Sequence, residues 1–213
     1  MRASVAPRGP PQLAADTNKR RRADGAGYSS AMPSALYFTE DQAACELLAR
    51  DPFALLVGFA IDQQIPVQKA FAGPLVLKQR VGTLDPKRLA ALDLEEAFRE
   101  RPAIHRFPGT MAERVRDLAA AVAEEYDGDA ARIWTEAEDT ADLKKRIGAL
   151  PGFGPMKVMA LGSVLALHFG VEAAKPLVPD HSCLGAVDSP EALADYQAAK
   201  RAHKAKLKAA AAT

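Results

Sequence analysis

The sequence predicts an all-α fold of two packed helical lobes. Two observations predict it. No segment alternates apolar and polar residues with period two for long enough to make a strand. Apolar residues instead recur at helical spacing in short runs separated by Gly and Pro turns. The 213 residues are enough for one domain, or two small ones, with a real core.

The helical pattern begins after residue 38. Thr39 stands as an N-cap with Glu40, Asp41 and Gln42 in the first turn, and Ala44, Leu47 and Leu48 give one apolar stripe. Asp51-Pro52 opens a second helix with proline at its first position. Phe53, Leu55, Leu56, Val57, Phe59 and Ile61 make it apolar nearly all round, as in a helix buried at the centre of a bundle. It stops at Asp62-Gln63-Gln64-Ile65-Pro66. Val67, Lys69 and Phe71 begin a further helix, which Gly73-Pro74 is expected to interrupt. Asp85-Pro86 and Asp93 each start a short helix. Gly109–Tyr126 is a long one, with Met111, Val115, Leu118 and Val122 on one face. Asp139 or Thr140 to Ala149, and Pro155 to Phe169, form a pair joined by Leu150-Pro151-Gly152-Phe153-Gly154. Ala173–Lys175 reads as a loop insertion, and a last helix runs over Pro190–Ala210 with Asp188-Ser189 capping it. Residues 1–35, with their prolines, glycines and absent apolar period, read as a disordered tail. The expected organisation is thus a tail over 1–35, a helical domain over 36–189 and a C-terminal helix over 190–213.

The net charge of +1 is unevenly spread. The tail carries Arg2, Arg8, Lys19, Arg20, Arg21 and Arg22 against Asp16 and Asp24. Residues 195–213 carry Lys200, Arg201, Lys204, Lys206 and Lys208 against Asp195, so both ends are basic and the body is acidic. Basic ends favour polyanions through counterion release. The acidic body excludes a broad basic face, so any nucleic-acid contact must be local and built from backbone groups.

No run of apolar residues reaches membrane-span length. The N-terminus lacks the apolar core of a secretory signal, and the expected location is cytoplasmic, with the nucleoid. The two cysteines, Cys45 and Cys183, cannot make a four-thiolate cluster. The histidines are scattered, so neither a metal nor another cofactor is expected, and nothing demands more than a monomer.

The most informative stretch is Leu150-Pro151-Gly152-Phe153-Gly154-Pro155-Met156-Lys157. Two glycines two apart allow a sharp turn between helices, and Pro155 suits the first position of the second helix. The N–H groups of Gly152, Gly154 and the first helical turn are left unpaired and, with the helix dipole, make an anion site. Lys157 adds a mobile charge beside them. The alternative is an ordinary turn between two helices.

This stretch resembles the helix-hairpin-helix of the HhH-GPD DNA glycosylases, and within them an alanine-rich, actinobacterial-type group. A second match, Ile61-Asp62-Gln63-Gln64-Ile65-Pro66-Val67-Gln68-Lys69-Ala70, resembles the family segment that ends the buried helix. A third, Phe107-Pro108-Gly109-Thr110-Met111-Ala112-Glu113-Arg114-Val115, is similar to the family's glycine-led helix. The resemblance spans about residues 40–170. It implies a two-lobed helical glycosylase fold and base-excision repair of double-stranded DNA carrying a damaged or mismatched base. It implies that the amides of Gly152, Phe153, Gly154, Met156 and Lys157 hold a phosphate. Gln63 and Gln64 would enter the minor groove and fill the gap left by the extruded base, since an amide both donates to and accepts from base edges. Pro66 replaces the family's usual hydroxyl residue.

Breaking an N-glycosidic bond builds positive charge on the sugar, and a nearby carboxylate stabilises it and orients water. The resemblance implies that this carboxylate is Asp180, in Val178-Pro179-Asp180-His181. Asp188 is a second candidate, and Asp62 is expected to cap or pair locally. The family's bifunctional members place a Schiff-base lysine where this chain has Met156; Lys157, about 100° further round the helix, faces elsewhere. A monofunctional, cofactor-free hydrolase is therefore expected. A non-catalytic DNA-binding module and a helical protein-interaction domain are the alternatives. Phe38, Phe53, Phe59, Phe107 and Trp134 are read as core residues, with stacking on a base as the other use.

Overall fold

The computed structural model describes residues 32–210, without the side chains of 203, 204 and 206–210. Among the described residues there are ten α-helices, two 3-10 segments and no strand, so the all-α class holds. The expectations for residues 1–31, including the basic run at 19–22, lie outside the described residues. Ala35 and Leu36 are already buried, so the core begins a residue earlier than expected.

Helix α1 spans Gln42–Arg50 and is capped by Asp41, whose carboxylate accepts the Ala44 N–H at 3.1 Å. Thr39 was the expected cap; it is buried instead, with its hydroxyl oxygen 3.5 Å from the Asp41 N–H. A carboxylate two residues later satisfies the first helical amides more directly. Helix α2, Pro52–Ile61, has Asp51 accepting from the Phe53 and Ala54 N–H groups, and every residue from Phe53 to Ile61 is buried. It is the axis of the fold.

Helix α3 runs unbroken over Val67–Val81 with Pro74 inside it, where an interruption was expected. A mid-helix proline costs about 3 kcal/mol through the lost bond and clash. Packing offsets this: Gly73 and Pro74 are buried, and a Cβ on Gly73 would stand 2.5 Å from Ile61 Cδ1. On the α2 side, Gly58 admits the Phe71 ring equally closely. Phe71 in turn takes Phe38 and Phe59 edge-on, with centroids 5.0 and 5.1 Å away. Phe53 and Trp134 are also buried, whereas Phe107 is exposed beneath the Arg106 guanidinium.

Helices α4 (Pro86–Leu89) and α5 (Glu95–Arg99) are short and pack on α6 (Pro108–Glu125), which also lies against α2. A four-residue helix, α7 (Arg132–Thr135), was not expected; it buries Ile133 and Trp134. Helices α8 (Thr140–Ala149) and α9 (Pro155–Phe169) follow as expected, α8 capped by Asp139. Residues Glu172–Leu177, where a loop was expected over Ala173–Lys175, form a 3-10 helix held against α9. Leu177 fills the space that a Cβ on Gly162 would need. The second 3-10 segment, Leu184–Ala186, lies against the same helix, with Gly185 on the Ser163 backbone. Ser189 caps α10, Pro190–Ala210, through the Ala192 N–H at 3.1 Å.

Candidate nucleic-acid interface

The C-terminal end of α2 turns through two unusual residues. Asp62 leaves helical geometry at φ −71°, ψ 74°. Gln64 has φ 55°, in the left-handed region that non-glycine residues seldom enter, and its side chain is exposed. A conformation of this kind costs about 1 kcal/mol or more and persists only where its surroundings enforce it.

Two side chains enforce it, both on Gln63. His105, buried in the segment before α6, places Nε2 2.8 Å from the Gln63 carbonyl oxygen. Its Nδ1 accepts the Phe107 N–H at 3.0 Å, so the ring hydrogen sits on Nε2 and is donated to Gln63. Arg114, on α6, donates from Nη1 to the side-chain oxygen Oε1 of Gln63 at 2.7 Å. The same guanidinium arm lies against the hairpin: a Cβ on Gly152 would stand 2.6 Å from Arg114 Cδ.

The hairpin is built by local chemistry. Leu150 ends α8, and the Phe153 N–H closes back on the Leu150 carbonyl at 3.1 Å. Phe153 is buried and anchors the turn. Gly152 has φ 83° and needs its lack of a Cβ twice, for that angle and for Arg114. Gly154 has φ −82° and faces open space, so only Gly152 of the two glycines uses the left-handed region open to both. Among the described residues, the N–H groups of Gly152, Gly154 and Met156 find no backbone partner, and all three residues are exposed; those of Phe153 and Lys157, expected to join them, are bonded to the Leu150 and Gly154 carbonyls instead. They sit at the N-terminus of the fifteen-residue helix α9, where the dipole favours an anion. Met156 is 85% exposed.

Lys157 is not the mobile surface charge that was expected. Its side chain turns inward, and Nζ donates to the Ala60 carbonyl at 2.9 Å, near the end of α2. Burial pulls its ammonium down to about 8; the Arg114 charge adds to this and Asp62 opposes it. Asp62 is partly buried, and its carboxyl is pushed up by burial, against the pull of Lys200 and Lys157. Its side chain makes no hydrogen bond or ion pair among the described residues; what caps the helix is its backbone N–H, bonded to Gly58 and Phe59.

Asp180 lies between the two 3-10 segments, exposed, and makes no side-chain hydrogen bond or ion pair among the described residues. Asp188 is exposed just before the cap of α10, near His168. Among the described residues, no three His, Cys, Asp or Glu side chains cluster as a metal site would require.

The structure thus brings Gln63, the Gly152 turn and Lys157 together around Arg114. Sequence reasoning passed over Arg114 and His105. Arg114 lay inside the third motif but carried no signal of its own, and His105 read as one of four isolated histidines. The arrangement can grip an anion with backbone amides while presenting an amide-bearing turn fixed by a guanidinium. Compared with known proteins, the chain matches no family model, no curated protein and no solved structure.

Proposed function

We propose that the chain has the two-lobed helical fold of an HhH-GPD DNA glycosylase. In this reading it is a monomer that binds double-stranded DNA at a damaged or mismatched base and hydrolyses the N-glycosidic bond of the extruded nucleotide. The observation that carries the reading is the Arg114 bridge between Gln63 and the Gly152 turn. A single guanidinium ties the free hairpin amides to a turn of two glutamines, one of them exposed at a positive φ. The amides would fix a backbone phosphate and the turn would enter the stack where a base has been flipped out. The exposed thioether of Met156 cannot form a Schiff base with the sugar, which supports a monofunctional reaction with water.

A second reading is a DNA-binding module without chemistry. It is favoured by the isolation of Asp180, whose exposed side chain makes no hydrogen bond or ion pair among the described residues. A panel of duplexes separates the two. Each duplex carries one alkylated purine, uracil, oxidised purine, oxidised pyrimidine or mismatch, and strand cleavage is read with and without hot alkali. Alkali-dependent cleavage of one lesion supports the hydrolase. Binding without cleavage at enzyme excess supports the module. Absence of salt-dependent binding overturns both.

A further inference from the structure

The end of α2 holds a carboxylate that the nucleic-acid contacts leave unused. Many aspartates of the described chain are committed: Asp41, Asp51 and Asp139 accept helix-cap N–H groups, and Asp127 and Asp142 pair with Lys87 and Arg146. Asp62 is neither, although it adjoins Gln63 and lies partly inside the fold. Three elements converge on it. Helix α9 brings Lys157, whose Nζ rests on Ala60 two residues earlier. Helix α10 brings Tyr196 and Lys200 within electrostatic reach. Arg114 of α6 and Cys183 bear on the same group through Lys157 and Tyr196.

We infer that Asp62 is the carboxylate that acts at C1′ of the extruded nucleotide, with Lys157 and Lys200 as its basic neighbours. The inference rests on the glycosylase reading above. A nucleotide swung out past the Gln63–Gln64 turn leaves its sugar beside the residue that begins the turn, while its phosphate is held at the hairpin. A carboxylate free of other hydrogen bonds can take a water proton; a capping or ion-paired one cannot do so without losing its partner. Burial makes Asp62 a stronger base than a surface carboxylate, and Lys200 and Lys157 oppose that rise.

In the step, the oxygen of one water bonds to C1′ as the C1′–N bond breaks, and that bond's electron pair leaves with the base. The water's proton passes to the Asp62 carboxylate, and the departing base takes a proton from solvent. Free base and an abasic sugar hydroxyl result, and Asp62 returns its proton to solvent.

The test uses the full chain and whichever lesion of the panel it cleaves, under single-turnover conditions, in wild type, Asp62→Asn, Asp180→Asn and Lys200→Met. The expected result for Asp62→Asn is a rate loss on the order of 10³-fold, with duplex affinity within about threefold of wild type. The acid limb of the wild-type profile should lie above the ordinary carboxylate range. Lys200→Met, an exposed position, should move that limb to higher pH, because a positive neighbour of Asp62 is gone. Retained activity in Asp62→Asn, or loss confined to Asp180→Asn, overturns this inference while leaving the glycosylase reading intact. If no lesion is cleaved by wild type, both fall. If Asp62→Asn does not fold, an unmoved acid limb in Lys200→Met overturns the inference.

Discussion

The Gln63 carbonyl oxygen and His105 Nε2 stand 2.8 Å apart, joining residues forty-two positions distant in the chain. This bond fixes the peptide immediately before Gln64, whose φ of 55° would otherwise relax. His105→Ala removes a buried ring and orphans both the Gln63 carbonyl and the Phe107 N–H. The expected cost is roughly 2–4 kcal/mol of unfolding free energy, measured by urea titration. Under the proposed function, duplex binding should weaken as well, because the turn loses its support. A stability loss below about 0.5 kcal/mol would show that the turn holds itself.

The two hairpin glycines should behave differently. Gly152→Ala meets Arg114 at 2.6 Å and must adopt φ 83°, so it should destabilise by roughly 1–3 kcal/mol. Gly154→Ala meets nothing within 4 Å at an ordinary φ, and its stability should stay within about 1 kcal/mol of wild type. Under the proposed function, the added methyl crowds a phosphate held at this turn and lowers duplex affinity by about tenfold or more. Thermal denaturation beside a binding titration separates the effects. Equal stability losses in the two variants would contradict the hairpin geometry.

Lys157 gives a pH signature. In the native chain its ammonium gives up its proton at about 8, while in the unfolded chain it holds it to near 10.5. Between those values the unfolded state binds more protons, so stability rises with pH across that window through this group. The partial exposure of the side chain reduces the gain to on the order of 1 kcal/mol. Unfolding free energies of wild type and Lys157→Met, measured from pH 7.5 to 10.5, should therefore converge or cross as pH increases. Parallel curves would mean that the ammonium is not buried.

The segment carrying Asp180 is seated by two glycines. A Cβ on Gly185 would stand 2.5 Å from the Ser163 backbone carbon and oxygen, and backbone yields less than a side chain. Gly162→Ala meets the Leu177 side chain, which can swing aside in part. Gly185→Ala should thus cost more than Gly162→Ala, roughly 3 kcal/mol against 1–2. Equilibrium unfolding of both variants gives the order directly.

The two thiols should be separable by reactivity. Cys45 is buried, donates to the Thr39 carbonyl at 3.2 Å, and has its thiol pKa pushed up by burial. Cys183 is partly exposed. A disulfide-exchange reagent should label one thiol in the native protein and the second only on unfolding. Prompt labelling of both would place Cys45 outside the core.

The sequence by itself determined where most helices begin and end. Asp51, Asp139 and Ser189 cap their helices with their own side chains, and the α8–α9 turn is written in Pro and Gly, so neighbours within a few residues suffice. The apolar circumference of α2 likewise announced a central helix before any partner was known. Where local signals competed with packing, packing won: Pro74 stays inside α3 because that helix packs on α2 through Gly73 against Ile61 and Phe71 against Gly58, and Glu172–Leu177 coils because Leu177 has the groove over Gly162 to fill. The candidate interface was legible only as three separate strings. Its assembly depends on Arg114 reaching Gln63 across fifty-one positions and Lys157 reaching Ala60 across ninety-seven. Those bonds follow no period, since a side chain's partner across the fold is set by how helices pack and not by its neighbours in the chain. The burial that makes a titrating pair of Lys157 and Asp62 was decided by tertiary structure for the same reason: desolvation belongs to a place in the fold, and a residue's letter does not carry it.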